Sequence, residues 1–424
     1  MKCPHCKQEH PEGTKFCPET GQRMMLCCPN KGCINHNQFV IPIYYKFCPE
    51  CGTSLLSTNK MDSSQDTDGH KKSMETGTYD RIHSFYDGMA VVQKGKKYGY
   101  IDKFGIEVIE CEYDYAGNFS EGLAYVHYGR KKMFIDRKGE VAFLLDDCFD
   151  LYGLSGGFCE GLCKVGQNFG DENSCDEDDI IKTGFVDRFG DLVIDCQFGG
   201  ASNFCNGRAL VWDIEDDDYN GKAINYRFID VYGDEVIGSF YQASEFCDGY
   251  AVVREEKRPK NYKTWIIDTN GKTVRKIDTH DSLEYSSYDN CGLHEDIFLY
   301  SYHKWIDLVT GMEHELNPQN NLSISKYGFF EGLAAVQDSQ GEWGFMNVDG
   351  DVIINCQFDN EYAPAFSEGL ACVKQNGLWG FIDKTGKVVI PYQYAEESIF
   401  REGRAVVRKN DTLMVIDENG NRIL

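Results

Sequence analysis

The chain has 424 residues, a formal net charge of −25 and a hydrophobic content of 42 %, which is an ordinary composition for a soluble globular protein. Residues 1–56 contain six Lys/Arg and four Asp/Glu, a net charge of +2, so the rest of the chain carries −27. A surface this acidic repels phosphate backbones, which argues against nucleic acid as a partner of residues 57–424.

No run of about eighteen apolar residues is present, so we expect no membrane span. The N-terminal stretch MKCPHCKQEH lacks an apolar centre and does not have the pattern of a secretion signal. We therefore expect a cytoplasmic protein, in which the nineteen cysteines serve as thiols or metal ligands and not as disulfides.

The first 56 residues are rich in cysteine and have few apolar residues. Their eight cysteines are Cys3, Cys6, Cys17, Cys27, Cys28, Cys33, Cys48 and Cys51. Zn²⁺ takes four such ligands in a tetrahedron, and a C-x-x-C turn presents two of them to one ion. A segment without an apolar core would take most of its folding energy from the metal. The pattern predicts structural zinc with no open coordination position.

The spacing Cys28-x4-Cys33, then Cys48-x2-Cys51, gives a complete four-cysteine site. The head resembles the double zinc-ribbon modules of many prokaryotic proteins, whose signature is C-P-x-C…F-C-P-x-C-G. The second half matches that signature closely in residues 47–52, FCPECG. The first half departs from it, because Thr20 stands where a fourth cysteine is expected.

The first site therefore has several possible ligand sets. Cys27 can join Cys3, Cys6 and Cys17 and leave Cys28 to the second site. His5 or His10 can supply the fourth ligand instead. The remaining alternative is a first half that binds no metal.

Residues 57–78, STNKMDSSQDTDGHKKSMETGT, contain no aromatic or β-branched aliphatic residue. Such a segment cannot bury enough apolar surface to offset the entropy of ordering. We interpret it as a flexible linker between the head (1–56) and a separate unit (79–424).

From residue 79 a two-part pattern recurs in nine units, the one around residues 283–316 being degenerate. The first anchor is an aromatic residue followed by an acidic or polar residue and glycine, and the second is Asp-x-x-Gly. First anchors begin at Phe85, Phe119, Phe158, Phe204, Phe246, Phe330, Phe366 and Phe400. The glycine of the second anchor recurs every 34 to 51 residues, from Gly105 to Gly420, which is a repeat-architecture period.

Residues 366–395 show how one unit would fold. LACV is a short apolar strand, WGFID alternates with a period of two, and KVVI is a β-branched strand. Asp383 can accept backbone N–H groups two residues on, and Gly386 can take the left-handed conformation that closes a hairpin. YQYA then predicts a fourth strand, which gives an antiparallel meander that must stack on neighbours to bury its faces.

These units resemble the WG repeat family, named for its Trp-Gly pair. The pair is present as Trp343-Gly344 and Trp379-Gly380, and as Tyr98-Gly99 with tyrosine substituted. The resemblance covers residues 79–424 and implies a β-repeat scaffold. Trp265, Trp305, Trp343 and Trp379 are expected at equivalent positions near the start of the second strand, where they would serve packing.

We predict an all-β fold in which the units close into a propeller-like ring, with an open β-superhelix as the alternative. Residues 79–88 match 113–122 position for position, so the array begins with an orphan strand, Tyr79–Ile82, and ends at Asn421–Leu424 without a fourth strand. The orphan strand could complete the last blade and remove its exposed edge. Nine blades exceed the usual range of about four to eight, which is the argument for the superhelix.

No motif in the array predicts catalysis. Gly153-x-Ser155-x-Gly157 matches a nucleophile elbow, but the repeat's own anchor follows where a helix is required. Cys111, Cys196 and Cys356 share one slot, filled by Tyr392 in another unit, so we interpret it as a packing position. The acidic insertions at 171–179 and 215–218 fit solvated loops, with a cation or a basic partner as the alternative.

The sequence as a whole favours a non-enzymatic scaffold that binds another protein. A hydrolase-type enzyme with its site in the mouth of the ring is an alternative, and it would need one unit to hold polar residues that the others lack. A third reading is nucleic-acid contact through the slightly basic head. No feature of the sequence names the partner, the process or the oligomeric state.

Overall fold

The computed structural model describes residues 79–151, 157–169, 181–217, 221–254, 262–279, 293–396 and 398–424, together with two short strands nearer the N-terminus. Those two, β1 (Met25–Leu26) and β2 (Ile41–Pro42), pair antiparallel. The eight predicted zinc ligands, the two candidate histidines and residues 57–78 lie outside the described residues. The zinc sites and the linker therefore stay predictions.

The array consists of small antiparallel sheets, and the first three units have four strands each. Unit one contains β3 (Arg81–Tyr86), β4 (Met89–Lys94), β5 (Lys97–Asp102) and β6 (Glu107–Tyr113). Unit two contains β7 (Tyr115–Ala116), β8 (Leu123–Tyr128), β9 (Lys131–Asp136) and β10 (Val141–Leu144). Unit three contains β11 (Phe149–Asp150), β12 (Leu162–Asn168), β13 (Ile181–Asp187) and β14 (Leu192–Phe198).

Units four to six repeat the arrangement. Unit four contains β15 (Gly200–Ala201), β16 (Ala209–Asp217), β17 (Gly221–Ile229) and β18 (Glu235–Phe240). Unit five contains β19 (Gln242–Ala243), β20 (Tyr250–Arg254), β21 (Tyr262–Asp268) and β22 (Thr273–Thr279). Unit six contains β23 (Leu293–His294), β24 (Ile297–Ser301), β25 (Lys304–Asp307) and β26 (Glu313–Glu315).

The last three units end with a smaller sheet. After a 3-10 turn, η1 (Pro318–Asn320), unit seven contains β27 (Ser323–Phe330), β28 (Leu333–Gln337), β29 (Trp343–Asn347) and β30 (Val352–Phe358). Unit eight contains β31 (Phe366–Ser367), β32 (Leu370–Gln375), β33 (Leu378–Asp383) and β34 (Val388–Tyr394). Unit nine contains β35 (Ala405–Lys409) and β36 (Thr412–Ile416), and Ile423 N–H donates to Val415 O at 2.8 Å beside them.

In each four-stranded sheet the strands follow chain order, and we name them a, b, c and d. The predicted meander is confirmed, but each unit begins one strand earlier in the chain than predicted. YQYA does not form a separate fourth strand, because Tyr394 ends strand β34 and Ala395 N–H bonds Arg408 O in unit nine at 2.8 Å. Strand a thus precedes the aromatic anchor and belongs to the unit that follows.

The strand at the start of the array, which was predicted to complete the last blade, belongs to the sheet of unit one. Residues 81–86 form strand a of unit one, with Arg81 opposite Gln93 and Ile82 opposite Val92. They do not complete the last blade. Each unit is built from one contiguous segment, so the ring is closed by contacts between sheets and not by a strand that the two ends share.

The ring is closed, and the predicted propeller is confirmed. Among the described residues nine buried apolar clusters each join two neighbouring units. The cluster that joins unit nine to unit one contains Phe85, Val92 and Val415, with Leu424 packed against it. The core therefore lies in the seams, as expected for repeats that bury their faces on one another. Within the described ranges no helix is long and apolar enough to cross a membrane.

The Trp-Gly pair has a steric explanation. A Cβ on Gly344 would lie 2.4 Å from Ile354 O, and one on Gly380 would lie 2.8 Å from Ile390 O. Strand d bulges here against strand c, since the pairing register shifts on either side of the glycine. Only glycine lets the two backbones approach this closely.

The four tryptophans are not all equivalent, which corrects the expectation from the sequence. Trp343 and Trp379 lie at or next to the start of strand c, opposite Phe358 and Tyr394 of strand d. Trp305 lies two residues nearer its turn, is fully buried, and donates its indole N–H to Val348 O of unit seven at 2.9 Å. Trp265 is one residue nearer its turn than Trp343. All the same, Trp305, Trp343 and Trp379 are buried, as packing residues should be.

Candidate functional site: the inner ring of turns

The c–d turns hold the aspartates of the second anchor. In unit eight, Asp383 Oδ1 accepts the N–H groups of Thr385 and Lys387 at 2.9 and 3.0 Å, and Gly386 has φ +84°. The hydrogen bond from the Thr385 hydroxyl contributes most to lowering the pKa of Asp383, and the two backbone hydrogen bonds lower it further. The predicted turn geometry is confirmed, and these carboxylates are structural.

The a–b turns hold the acid of the first anchor in a conformation that its residue type disfavours. The nine residues in this position have φ between 51° and 57°. They are Asp87, Glu121, Glu160, Asn206, Asp248, Glu295, Glu331, Glu368 and Glu402. Asn or Gly is the usual choice there, so glutamate carries a local strain that tertiary contacts must offset.

Those contacts form a closed ring of hydrogen bonds, which we call the acid ring. Each turn side chain accepts one or two backbone N–H groups from the a–b turn of the next unit. The links run Asp87 to Gly122, Glu121 to Gly161, Glu160 to Gly207, Asn206 to Gly249, Asp248 to Glu295, Glu295 to Glu331 and Gly332, Glu331 to Gly369, Glu368 to Glu402 and Gly403, and Glu402 to Asp87 and Gly88. The sequence showed that these acids recur with the repeat, but it did not show that they bond across units.

Basic residues that follow the c–d aspartates brace three of these links. Arg137 pairs with Asp87 of the preceding unit, and Arg188 Nη1 lies 3.3 Å from Glu121 Oε2. Lys384 Nζ lies 3.1 Å from Glu331 Oε2. The acid ring is therefore neutralised in part by neighbours, and its carboxylates are engaged in holding the array together.

The residue before each turn acid forms a second series, which we call the inner row. Its members are all half-buried: Tyr86, Ser120, Cys159, Cys205, Cys247, His294, Phe330, Ser367 and Arg401. Neighbouring members touch where they are large, since the Arg401 guanidinium lies 4.3 Å from the Tyr86 ring centroid and the His294 and Phe330 centroids are 4.5 Å apart. The row therefore follows the acid ring from unit to unit.

The three thiols that share one slot after strand c are protonated and packed. Burial raises the pKa of Cys111, Cys196 and Cys356 to about 11. Their Sγ atoms contact strand b carbonyl oxygens, Cys356 reaching Val336 O at 3.7 Å. The packing interpretation of this slot is confirmed. Burial also raises the pKa of Cys159 to about 11, and in the described part of the chain no three His, Cys, Asp or Glu side chains converge as a metal site.

The other sequence candidates have mixed outcomes. Of the elbow motif only Gly157 is described, so the motif stays untested. Residues 171–179 also lie outside the described residues. The second acidic insertion was expected as a loop, but residues 215–217 extend strand β16 and pair with 221–223 of β17.

Comparison with known families supports the resemblance drawn from the Trp-Gly pairs. Residues 77–98, 98–131, 184–211, 343–379 and 379–412 match a family model described as "WG containing repeat". WG repeats are therefore present in this chain. Two of the five matched segments begin at the Trp-Gly pairs of residues 343 and 379, and a third begins at Tyr98-Gly99, where strand c likewise meets the bulge of strand d. No curated protein matches the sequence.

Solved structures resemble the array only distantly. The computationally designed Ika8 protein is 12 % identical and matches 81 % of this chain and 97 % of its own, with a TM-score of 0.38. BamB from Moraxella catarrhalis is 9 % identical over 79 % of this chain and 95 % of its own, with a TM-score of 0.34. AztD from Citrobacter koseri is 12 % identical over 77 % and 90 %, with a TM-score of 0.32. Likenesses at this level carry no information about function.

Proposed function

We propose that the WG array is a non-enzymatic scaffold that binds another protein through the face bearing its a–b and c–d turns. The repeated polar groups support this, because the turn aspartates, the acid ring and the buried thiols are all engaged in the frame. What varies from unit to unit is the tip of the c–d turn. Variable tips on a rigid repeat frame are suited to recognition.

The observation that carries the proposal is a set of aromatic side chains at these tips. Phe104, Phe189 and Tyr232 occupy the same turn position in units one, three and four, and are 61, 47 and 54 % exposed. Each uses its backbone N–H to bond the turn aspartate, so the turn itself requires no aromatic ring. Other units place Lys138 or Thr385 there. Exposed aromatic residues are enriched in the energetically dominant parts of interfaces.

The test is affinity purification from the native host with three forms of the full chain. The wild-type protein should retain a partner that the triple variant F104N/F189N/Y232N loses. A matched variant, K138N/T385N/N419T, changes three tips of other units and should retain it. Equal recovery with all three forms would place the interface elsewhere, and recovery of no protein by any form would contradict the scaffold function.

The head is proposed to contribute structural zinc in a cytoplasmic protein, and this rests on the cysteine spacing alone. Nucleic-acid contact through the head is the related alternative. A salt-dependent shift of DNA or RNA that is lost on deletion of residues 1–56 would support it.

The enzyme alternative is favoured by one specific feature. Tyr125 and His127 lie in strand b of unit two with ring centroids 4.9 Å apart, and within the described residues Tyr125 Oη and His127 Nε2 are buried without a hydrogen-bond partner. Val91 and Gln93 stand at these positions in unit one. Hydrolysis of a simple ester by the full chain that is lost in both Tyr125→Phe and His127→Gln would support a hydrolase.

A further inference from the structure

The b–c turns of units one and two carry nearly the same basic sequence. Residues 94–97 read KGKK and residues 129–132 read GRKK, so these eight positions hold six Lys/Arg and no Asp or Glu. The b–c turns of units eight and nine, at 375–378 and 409–412, read QNGL and KNDT. Residues 57–424 carry a net charge of −27, so two neighbouring basic turns are an exception within a strongly acidic array.

The geometry of these turns does not require basic residues. Gly95 and Gly129 have φ +60° and +63°, and each is the first residue of a two-residue hairpin loop, a place that favours glycine. Unit eight closes the same connection with Asn376 and Gly377, at φ 53° and 80°, and has no Lys or Arg there. The positive charges are therefore additional to what the turn needs.

One aspartate joins the two basic turns. Asp114 lies between β6 and β7, with its Oδ1 2.7 Å from Lys97 Nζ, and its Oδ2 accepts the Gly129 N–H at 2.8 Å. Lys97 Nζ also lies 5.8 Å from the ring centroid of Tyr128, a side chain that is 51 % exposed. The two turns thus form one continuous surface, residues 94–97 and 128–132, which we call the basic turn pair.

Half of the positive charge in the basic turn pair is neutralised locally. The ion pairs are Lys94 with Glu107 at 2.8 Å, Lys97 with Asp114 at 2.7 Å, and Lys132 with Asp150 at 3.0 Å. The other three cations are exposed and have no ion pair in the part of the chain that the structure describes: Lys96, Arg130 and Lys131. These three charges are available to a partner, and the exposed ring of Tyr128 lies beside them.

We propose that the basic turn pair binds an acidic peptide segment of another protein. The segment lies across the Tyr128 ring and places its carboxylates at Lys96 on one side and at Arg130 and Lys131 on the other. Opposite charges fix the choice of partner, and an exposed tyrosine gives the apolar contact that interfaces favour.

A short peptide fits this surface better than a nucleic acid does. A nucleic acid would run on past units one and two, over an array whose strongly negative charge repels phosphate. The b–c turns lie at the opposite end of each sheet from the a–b and c–d turns, because the strands are antiparallel and follow chain order. The basic turn pair is therefore separate from the turn tips proposed above for protein binding.

The test measures fluorescence anisotropy of a labelled octaglutamate peptide with the full-length chain. We expect binding at low salt that weakens as salt is added, because salt screens exposed charges. The variant K96Q/R130Q/K131Q should bind about tenfold more weakly, the loss expected for three exposed ion pairs. Tyr128→Ser should weaken binding while leaving its salt dependence unchanged, since it removes a contact and no charge.

Two controls separate the site from net charge and from the turn tips. K138Q/K272Q/K387Q removes three exposed lysines from c–d turns, so it changes the net charge equally, and it should bind the peptide as the wild type does. F104N/F189N/Y232N should also bind the peptide normally. A loss of peptide binding would therefore leave the turn-tip interface untouched, and the reverse holds as well.

Four results would overturn the proposal. The first two are no binding of octaglutamate at low salt and undiminished binding by K96Q/R130Q/K131Q. The third is an equal loss in the two triple lysine or arginine variants, which would show that only net charge matters. The fourth is an oligothymidylate of the same net charge that binds as tightly as the peptide and is lost in K96Q/R130Q/K131Q, which would assign the surface to nucleic acid.

Discussion

The two carboxylate oxygens of Glu402 accept the backbone N–H groups of Asp87 and Gly88 at 2.6 and 2.7 Å, and so join turns that lie 315 and 314 positions apart in the chain. Equivalent bonds join all the remaining pairs of neighbouring units, and in those pairs the bonded residues are about one repeat length apart in the chain. This pair closes the acid ring, and with the apolar cluster of Phe85 and Val415 it fastens the last unit to the first.

Removing the two hydrogen bonds of Glu402 should weaken the contact between unit nine and unit one. We expect Glu402→Ala to lower the free energy of unfolding by about 1–2 kcal/mol, because two backbone donors lose a charged acceptor. Amide hydrogen exchange should rise first in β3, β4, β35 and β36, which flank the closing seam. Denaturant unfolding and exchange measured by mass spectrometry would check both expectations.

A matched control is available in the same unit. Among the described residues Glu396 pairs only with Arg408 of its own unit, at 2.7 Å on the surface. We expect Glu396→Ala to change stability by no more than about 0.5 kcal/mol, as exposed ion pairs usually do. Equal effects of the two substitutions would show that the acid ring does not hold the closure.

The glycine of the Trp-Gly pair should resist even alanine. In Gly344→Ala the new Cβ would meet Ile354 O at 2.4 Å, so strand d would have to shift. We expect a loss of about 1–3 kcal/mol, typical of overpacking. Gly238→Ala is the comparison, since no atom lies within 4 Å of its Cβ position. Urea unfolding should separate the two, and similar losses would contradict the steric account.

The turn aspartates should make stability fall in acid. Hydrogen bonds from turn backbone and side-chain groups lower the folded-state pKa of Asp307, Asp383 and Asp417. A depressed folded pKa gives stability that is fully present above the unfolded value of about 4 and is lost as pH falls through the folded pKa. The melting temperature should therefore drop below about pH 4.

A substitution that the chain itself contains tests this assignment. Asn347 holds the same turn in unit seven, accepting Asp351 N–H at 2.9 Å. We expect Asp383→Asn to keep the fold at pH 7 and to make the acid dependence shallower, while Asn347→Asp makes it steeper. Unchanged pH profiles in both variants would rule out the turns as its source.

The packed thiols should be slow to react. Because burial holds the pKa of Cys111, Cys196 and Cys356 near 11, few thiolates form at pH 8. Iodoacetamide should label the exposed Cys148 well before these three in the folded protein, and all four after unfolding. Peptide mass spectrometry would read the order, and rapid labelling of Cys356 in the folded state would contradict the packing role.

Zinc removal should affect the head and spare the array. If residues 1–56 hold the predicted sites, metal analysis of the full chain should find two zinc ions, or one if the first half binds none. Chelation should then leave the thermal unfolding of the array unchanged, because residues 57–78 are predicted to separate the two parts. Cys48→Ser should lose one ion, and an unchanged zinc content would exclude the predicted ligand set.

The sequence by itself determined the repeat, the strands within it and the turn chemistry. These are local properties: alternation with a period of two, Asp383 bonding an amide two residues on, and Gly386 at positive φ follow from a few consecutive residues. The phase of the unit was missed because Tyr394 and Ala395 both have strand propensity, and only pairing shows that they belong to different sheets. The tryptophans were misaligned because Trp265 and Trp305 lie one and two residues nearer their turns than Trp343 does, and a one-residue offset changes the face of the strand on which a side chain lies.

Only the tertiary structure decided that the array closes, and by what means. The sequence showed only that an acidic or polar residue recurs in the first anchor, and its positive φ in the structure gives no local reason for glutamate. Their partners are backbone N–H groups one whole unit away, and a backbone donor leaves no signature in a sequence.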